Sequence, residues 1–227
     1  MAKLVWDETG KRLFETGVEK CALYVYDSEQ KSYGTGVAWN GVTAINETPT
    51  GAEATDLYAD DKKYLSLLSA EELEGTIEAY TYPDAFMACD GSVATDNGAI
   101  FGQQSRKQFC LAFITKVGND TEDTEYGEKL HIIYNCKASP SERAYATIND
   151  SPEAITFSWS FKATKETVTT DGMKDTALVT INSKTADGKT NGLFTTVCNK
   201  LFGTDEEEPA IMLPDAIAAA SATAAQG

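Results

Sequence analysis

Apolar and polar positions are most sharply ordered between Ala138 and Lys162. Ile155, Phe157, Trp159 and Phe161 alternate with Thr156, Ser158, Ser160 and Lys162. That period of two predicts a half-buried strand with one greasy face and one hydroxylated face. Just upstream, Ser139 and Glu142 have capping-box spacing and Pro140 falls at the first helical position, where its missing N–H costs nothing. The same stretch therefore predicts a short helix, with Ala144, Tyr145 and Ile148 on its apolar edge and a stop at Asn149–Pro152. A helix folded against an antiparallel sheet is the expected unit.

Further strands are expected at Cys21–Tyr26, Lys62–Leu68, Thr76–Tyr82, Lys129–Cys136 and Ala177–Asn182, and across Gly34–Asn46 with a break at Asn40-Gly41. Gln108–Thr115 is apolar on both faces, so a second layer or a partner chain must cover each side. It pairs naturally with Lys129–Cys136 across the acidic stretch Gly118–Glu128. Ser69 and Glu72 form a second capping box, predicting a helical turn closed by Gly75, and Asp84–Cys89 suits another turn. Leu193, Val197 and Leu201 recur at helical spacing, with Asn191 placed to cap that helix and Gly203 to end it. Over Glu47–Asp61 the pattern lapses, which marks either a mobile surface loop or a contact arm. The segment up to Lys20 is a strand or an arm, and the acidic, alanine-rich stretch from Thr204 onward reads as a linker or peripheral arm. The expected organisation is one mainly β domain over 1–203, with arms at 1–20 and 47–61, and a tail over 204–227.

A chain of 227 residues is enough for one domain with a sizeable core. Its net charge of −16 sets the surface against nucleic acid and anionic membranes. No apolar run has the length of a membrane span, and the N-terminus shows no apolar segment of the secretory kind. The cysteines, an odd 5 without paired spacing, are expected to be reduced core residues. Candidate chemistry is thin. His131 lies within a strand and is expected to be structural. Asn119–Glu125 offers oxygen ligands at alternate positions, but the glycine and closing glutamate of a calcium loop are out of register, so a solvated hairpin tip is expected. Gly34 and Gly36 lack the third glycine of a phosphate-cradling loop, and Arg106-Lys107 is an isolated basic pair. No catalytic, metal or cofactor constellation emerges, so neither enzyme activity nor a cofactor is expected.

The wording of several segments is specific. GVAWNGVTAINETPTGAEATDLYADDKKYL, TIEAYTYPDAF, GQQSRKQFCLAFITKVGNDT and YNCKASPSERAYATINDSPEAITFSW together resemble the major tail proteins of long-tailed, non-contractile bacteriophages, in the group common among phages of Gram-positive bacteria. The resemblance spans roughly Gly17 to Lys165. It implies a β-sandwich or barrel-like tail tube fold with a flanking α-helix, and rings, hexameric in the family, that stack into a tube through which DNA leaves without specific binding. It also implies a virion protein assembled in the host bacterial cytoplasm, whose partners are further copies of itself and the tape measure, distal tail and tail terminator proteins. On this reading Thr48, Pro49, Leu57 and Tyr58 in the long loop, and Phe109, Leu111 and Phe113 on the doubly apolar strand, are the expected inter-subunit contacts. Acidic side chains are expected to line the lumen. The alternative is a carbohydrate- or receptor-binding β-sandwich in which Trp39, Tyr80 and Tyr82 stack on sugars. A hydrolase is the third class, and no motif points to its pocket.

Overall fold

The computed structural model describes residues 3–145, 147, 154–185 and 188–224. In chain order the strands are β1 (Phe14–Asp27), β2 (Ser32–Tyr33), β3 (Val37–Ala38), β4 (Val42–Thr50), β5 (Ala54–Ala59), β6 (Lys62–Leu68) and β7 (Glu72–Ala79). A turn of 3-10 helix at Asp84–Phe86 leads into α1 (Met87–Asp90), followed by β8 (Val93–Ala94), β9 (Ile100–Phe101), β10 (Phe109–Asn119) and β11 (Asp123–Ala138). β12 (Phe157–Ala163), β13 (Leu178–Asn182), α2 (Gly192–Phe202) and α3 (Pro214–Ala224) complete the chain. The main sheet is antiparallel throughout, in the order β2-β1-β10-β11-β12-β7-β4, with β3 added to β1 and β13 to β11. The fold is mainly β with short helices. Its sheet is not a closed barrel, because the strands at the two ends of this order, β2 and β4, do not pair.

The central strands β1, β10 and β11 are buried on both sides within one chain. Leu23, Phe109, Leu111, Phe113 and Ile133 point to one side and meet Ile77, Trp159 and Phe161 together with Trp39 and Phe86. The intervening residues Ala22, Tyr24, Cys110, Ala112, Ile114, Leu130 and Ile132 point to the other side, against Phe194, Val197 and Leu201 of α2 and Ile217 of α3. The double apolarity of Gln108–Thr115 thus reflects two cores, one on each face of β10. Phe109 and Leu111 are 0% exposed and Phe113 is 4% exposed. As expected inter-subunit contacts these three are corrected: their surface is already covered by their own chain.

Several expectations held. β12 carries its apolar side chains inward, β10 and β11 form the expected hairpin, and β13 falls at the expected place. In α2 the Asn191 side chain accepts a hydrogen bond from Leu193 N, as a helix cap should, and Gly203 ends the helix with φ 78°.

Others are corrected, each by a tertiary partner. Among the described residues from Ser139 to Tyr145 there is no helix; Ile148 and the stop at Asn149–Pro152 lie outside the described residues. Ser139 N donates to Ser160 O at 2.8 Å, and Ser160 N donates to Ser141 Oγ at 3.3 Å. The capping-box residues therefore run alongside β12, and the helices that flank the sheet come from the C-terminal region. The second capping box also fails to start a helix. Ser69 N donates to Glu53 O, and Ser69 Oγ accepts from Glu53 N, both at 3.0 Å, closing the base of a hairpin. Glu47–Asp61 is not a loop: it continues β4, turns, and forms β5 of a separate two-stranded sheet with β6. The stretch after Thr204 is not peripheral. Gly36 N donates to Pro209 O at 2.9 Å, Tyr134 Oη donates to Met212 O at 2.8 Å, and Ile217 is buried.

Candidate assembly surfaces

With both main cores closed, the uncovered apolar side chains gather in a few places. The β5–β6 hairpin is exposed along its whole length, including Leu57, Tyr58, Tyr64, Leu65, Leu67 and Leu68. Its turn is Asp60-Asp61, both in the left-handed region (φ 50° and 57°), which is the geometry of a two-residue type I′ turn. Aspartate tolerates that conformation better than most residues. A hairpin of two strands with no core beneath it is marginal in water by itself. Tyr58 is 71% exposed, so the hairpin presents an apolar surface without using it inside the chain. The N-terminal segment adds Leu4, Val5 and Trp6, with Trp6 78% exposed. Thr48 and Pro49 are exposed on β4, which ends the sheet, and a strand without neighbours on one side accommodates proline there. Of the residues expected to make contacts, Thr48, Pro49, Leu57 and Tyr58 thus stand at the surface, while Phe109, Leu111 and Phe113 do not. Sequence reasoning missed Trp6 and the β6 side chains; the signal for the latter was Asp60-Asp61 between two apolar, tyrosine-bearing runs.

The polar clusters are structural in character. The His131 ring stacks on Phe113, with centroids 4.7 Å apart and planes 3° from parallel. Its Nε2 lies 3.0 Å from Thr115 Oγ1 and 3.1 Å from Glu15 Oε1, and Nδ1 is 3.6 Å from Glu47 Oε1. The histidine thus stands between carboxylates of β1 and β4, two strands that do not pair with each other. Burial raises the pKa of Glu15, but hydrogen bonds from Lys129 and Thr115 and the positive charge of Lys129 outweigh it and hold the carboxyl below its ordinary value. Asn119 in the acidic stretch is buried, and its Oδ1 accepts from Thr121 N, Thr121 Oγ1 and Glu122 N while its Nδ2 donates to Gly10 O. That amide shapes the turn and ties it to the N-terminal segment. Among the described residues no group of three His, Cys, Asp or Glu could hold a metal ion.

Burial pushes the thiols of Cys89 and Cys110 up to about 12 and that of Cys198 up to about 11, so none is a ready nucleophile at neutral pH. Buried Asp90 pairs with Arg143, whose guanidinium sits 5.9 Å from the centroids of both the Tyr82 and Phe157 rings. This pair anchors the segment after β11. The aromatic set of the carbohydrate reading is dispersed: Trp39 is 2% exposed and donates Nε1–H to Thr81 O, Tyr82 packs on Phe86, Phe157 and Trp159, and only Tyr80 is open. No helix among the described residues is long and apolar enough to cross a membrane.

These features define a mainly β protein with a helix-covered face, a bare sheet face and apolar arms that its own chain leaves uncovered. The family model of phage tail tube proteins matches residues 7–219, and the chain belongs to that family. It is accordingly a structural phage tail protein and a virion component. Among solved structures it is similar to a chain in the cryo-EM structure of the anti-feeding prophage (AFP) baseplate, 6-fold symmetrised. The identity is 6%, the match covers 78% of this chain and 97% of that chain, and the TM-score is 0.34, a likeness too distant to bear on function. No curated protein matches the chain.

Proposed function

We propose that this protein closes into rings, hexameric in number, which stack into the tail tube of a non-contractile phage and conduct DNA during ejection. The observation that carries the reading is the β5–β6 hairpin: an apolar, wholly exposed arm on a chain of the tail tube family. A ring needs a heterologous contact that closes on itself, and stacked rings need a second contact along the axis. The hairpin with Leu57 and Tyr58, the β4 residues Thr48 and Pro49, and the Leu4–Trp6 segment supply surface for these contacts. Further partners on this reading are the tape measure, distal tail and tail terminator proteins, met during assembly in the host cytoplasm. DNA passes through the lumen without specific binding.

Negative-stain microscopy of concentrated protein tests the reading. Rings or long tubes are expected. A species that stays monomeric at high concentration, even when supplied with a tail-tip initiator complex, would overturn it.

A further inference from the structure

Stacked rings need a contact along the axis, and two free-standing hairpins are placed to make one. Like β5–β6, the β8–β9 hairpin is a separate two-stranded sheet. Val93 and Phe101 are opposed across its ladder and so share a face, and both are more than half exposed. A Cβ added at Gly98 or Gly102 would meet nothing within 4 Å, so the hairpin stands clear of its own chain. On β5–β6, Leu57, Leu65 and Leu67 likewise share one face. The two hairpins leave the subunit at opposite ends. β5–β6 precedes Glu72, the first residue of β7, whereas β8–β9 follows Ala79, the last, through the 3-10 turn and α1. Eight residues of strand hold these ends about 25 Å apart. Phe86 anchors the Ala79 end by packing on Trp39, Phe109 and Trp159. Gln104 N and Lys107 N donate to Gly91 O and Ala88 O, each at 2.9 Å, so β8–β9 rises from α1. A contact between opposite ends of one chain is heterologous, and where copies stack in line it repeats without closing.

The two surfaces are of opposite sign. The stretch 53–68 holds four carboxylates and two lysines, and one of those lysines, Lys63, lies 2.7 Å from Asp56. Asp60 and Asp61 stand exposed at its tip. The stretch 91–107 sets Arg106 and Lys107 against Asp96 alone, a positive balance on a chain of net charge −16. Among the described residues neither of these cations makes an ion pair. Arg106 is held under the hairpin: a Cβ at Gly91 would lie 3.2 Å from its Cγ and Cζ, and its buried Nε has no hydrogen-bond partner. Exposed ion pairs add little attraction, but they select which surfaces meet and in what orientation. Here the leucine and aromatic side chains supply the attraction and the charges the choice.

We propose that the β8–β9 hairpin is the receiving surface for the β5–β6 hairpin of a second copy in the next ring. Leu57, Leu65 and Leu67 lie on Val93 and Phe101, and Asp60 and Asp61 face Arg106 and Lys107. This rests on the tube reading.

Cross-linking in a Cys198→Ser parent, whose other cysteines are buried, tests the pairing. Oxidised tubes of Leu57→Cys/Phe101→Cys, or of Tyr58→Cys/Val93→Cys as a second pair, should give a ladder of disulfide-linked multimers larger than one ring. Each single variant should run as a monomer on a denaturing gel. Tubes without a ladder from either pair would overturn the pairing and leave the tube intact. So would a ladder that stops at one ring, which places the contact between ring neighbours, or cross-links in the single variants, which join like hairpins. Failure of the parent to form tubes would instead sink the tube reading. The charges are tested without cysteines. Asp60→Asn/Asp61→Asn keeps residues that tolerate the left-handed turn and lowers the negative charge. Relief of general repulsion alone would lengthen its tubes, whereas the pairing predicts tubes several-fold shorter than the parent's at low salt. Tubes as long as the parent's or longer would overturn the facing of Asp60 and Asp61 to Arg106 and Lys107.

Discussion

At position 75 a Cβ would lie 2.3 Å from the Asn46 carbonyl oxygen and 2.6 Å from the Phe161 ring. The strands β4 and β12 crowd β7 there, and only a residue without a side chain lets all three lie at ladder spacing. Gly75→Ala is therefore expected to destabilise the subunit by about 1–3 kcal/mol, the usual range for overpacking, read as a lower urea midpoint with an unchanged slope. Asp215 shows a different single-residue economy. Its carboxylate accepts from the amides and hydroxyls of both Thr169 and Thr170, fastening the start of α3 to the segment after β12. Those hydrogen bonds bring its pKa down to about 2 from 3.8. Since the folded value is depressed, the stabilisation is present above pH 3.8 and is lost as pH falls toward 2. The melting temperature of wild type should thus exceed that of Asp215→Asn at pH 6, and the gap should close between pH 3.8 and 2. A gap that persists at the acid end would show that Asp215 acts otherwise.

At the scale of elements, the sequence was most readable where a strand or helix packs by its own periodicity. The alternation in β12 and the four-residue spacing in α2 each survive in the structure, because burial of one face decides both. It misled where a local signal met a stronger distant partner. Ser139 and Ser141 spend their groups on Ser160, and Ser69 spends its on Glu53, so neither capping box starts a helix. Of the residues expected to make contacts, Thr48, Pro49, Leu57 and Tyr58 are exposed and Phe109, Leu111 and Phe113 are buried. Phe109, Leu111 and Phe113 looked available only because the distant residues that cover them, Trp39, Ile77, Phe86, Trp159 and Phe161, could not be placed from local pattern, and the C-terminal segment that closes the opposite face was read as a tail. That segment should be needed for stability: Ile217→Ala is expected to cost about 2 kcal/mol, the low end for a buried isoleucine, because Ile217 keeps 6% of its surface exposed. The hairpin should behave in the opposite way. Replacing 54–68 by a short Gly/Ser turn removes only exposed residues, so the melting temperature of the free subunit should hardly change while tubes fail to form. Tubes of normal length from that variant would remove the hairpin from the assembly contacts.

At the scale of the whole molecule, assembly as proposed would bring a net charge of −16 together several times in each ring and again in each stacked ring. Like charge on every copy opposes this, and the exposed Leu57, Tyr58, Leu67, Leu68 and Trp6 side chains are the chain's available counterweight. The two contributions respond to salt in opposite ways from a contact built on ion pairs. Added salt shortens the screening length from about 10 Å at 0.1 M to about 3 Å at 1 M, weakening repulsion between subunits, and leaves apolar burial intact. Tube mass measured by sedimentation should therefore rise as sodium chloride increases from about 0.1 M to 1 M. Loss of tubes over the same range would mean that complementary charges, and not the apolar arms, hold the rings together. The comparison is sharpest with Leu57→Ser/Tyr58→Ser: if the arms supply the attraction, this variant should stay unassembled at low salt and recover only partly when repulsion is screened.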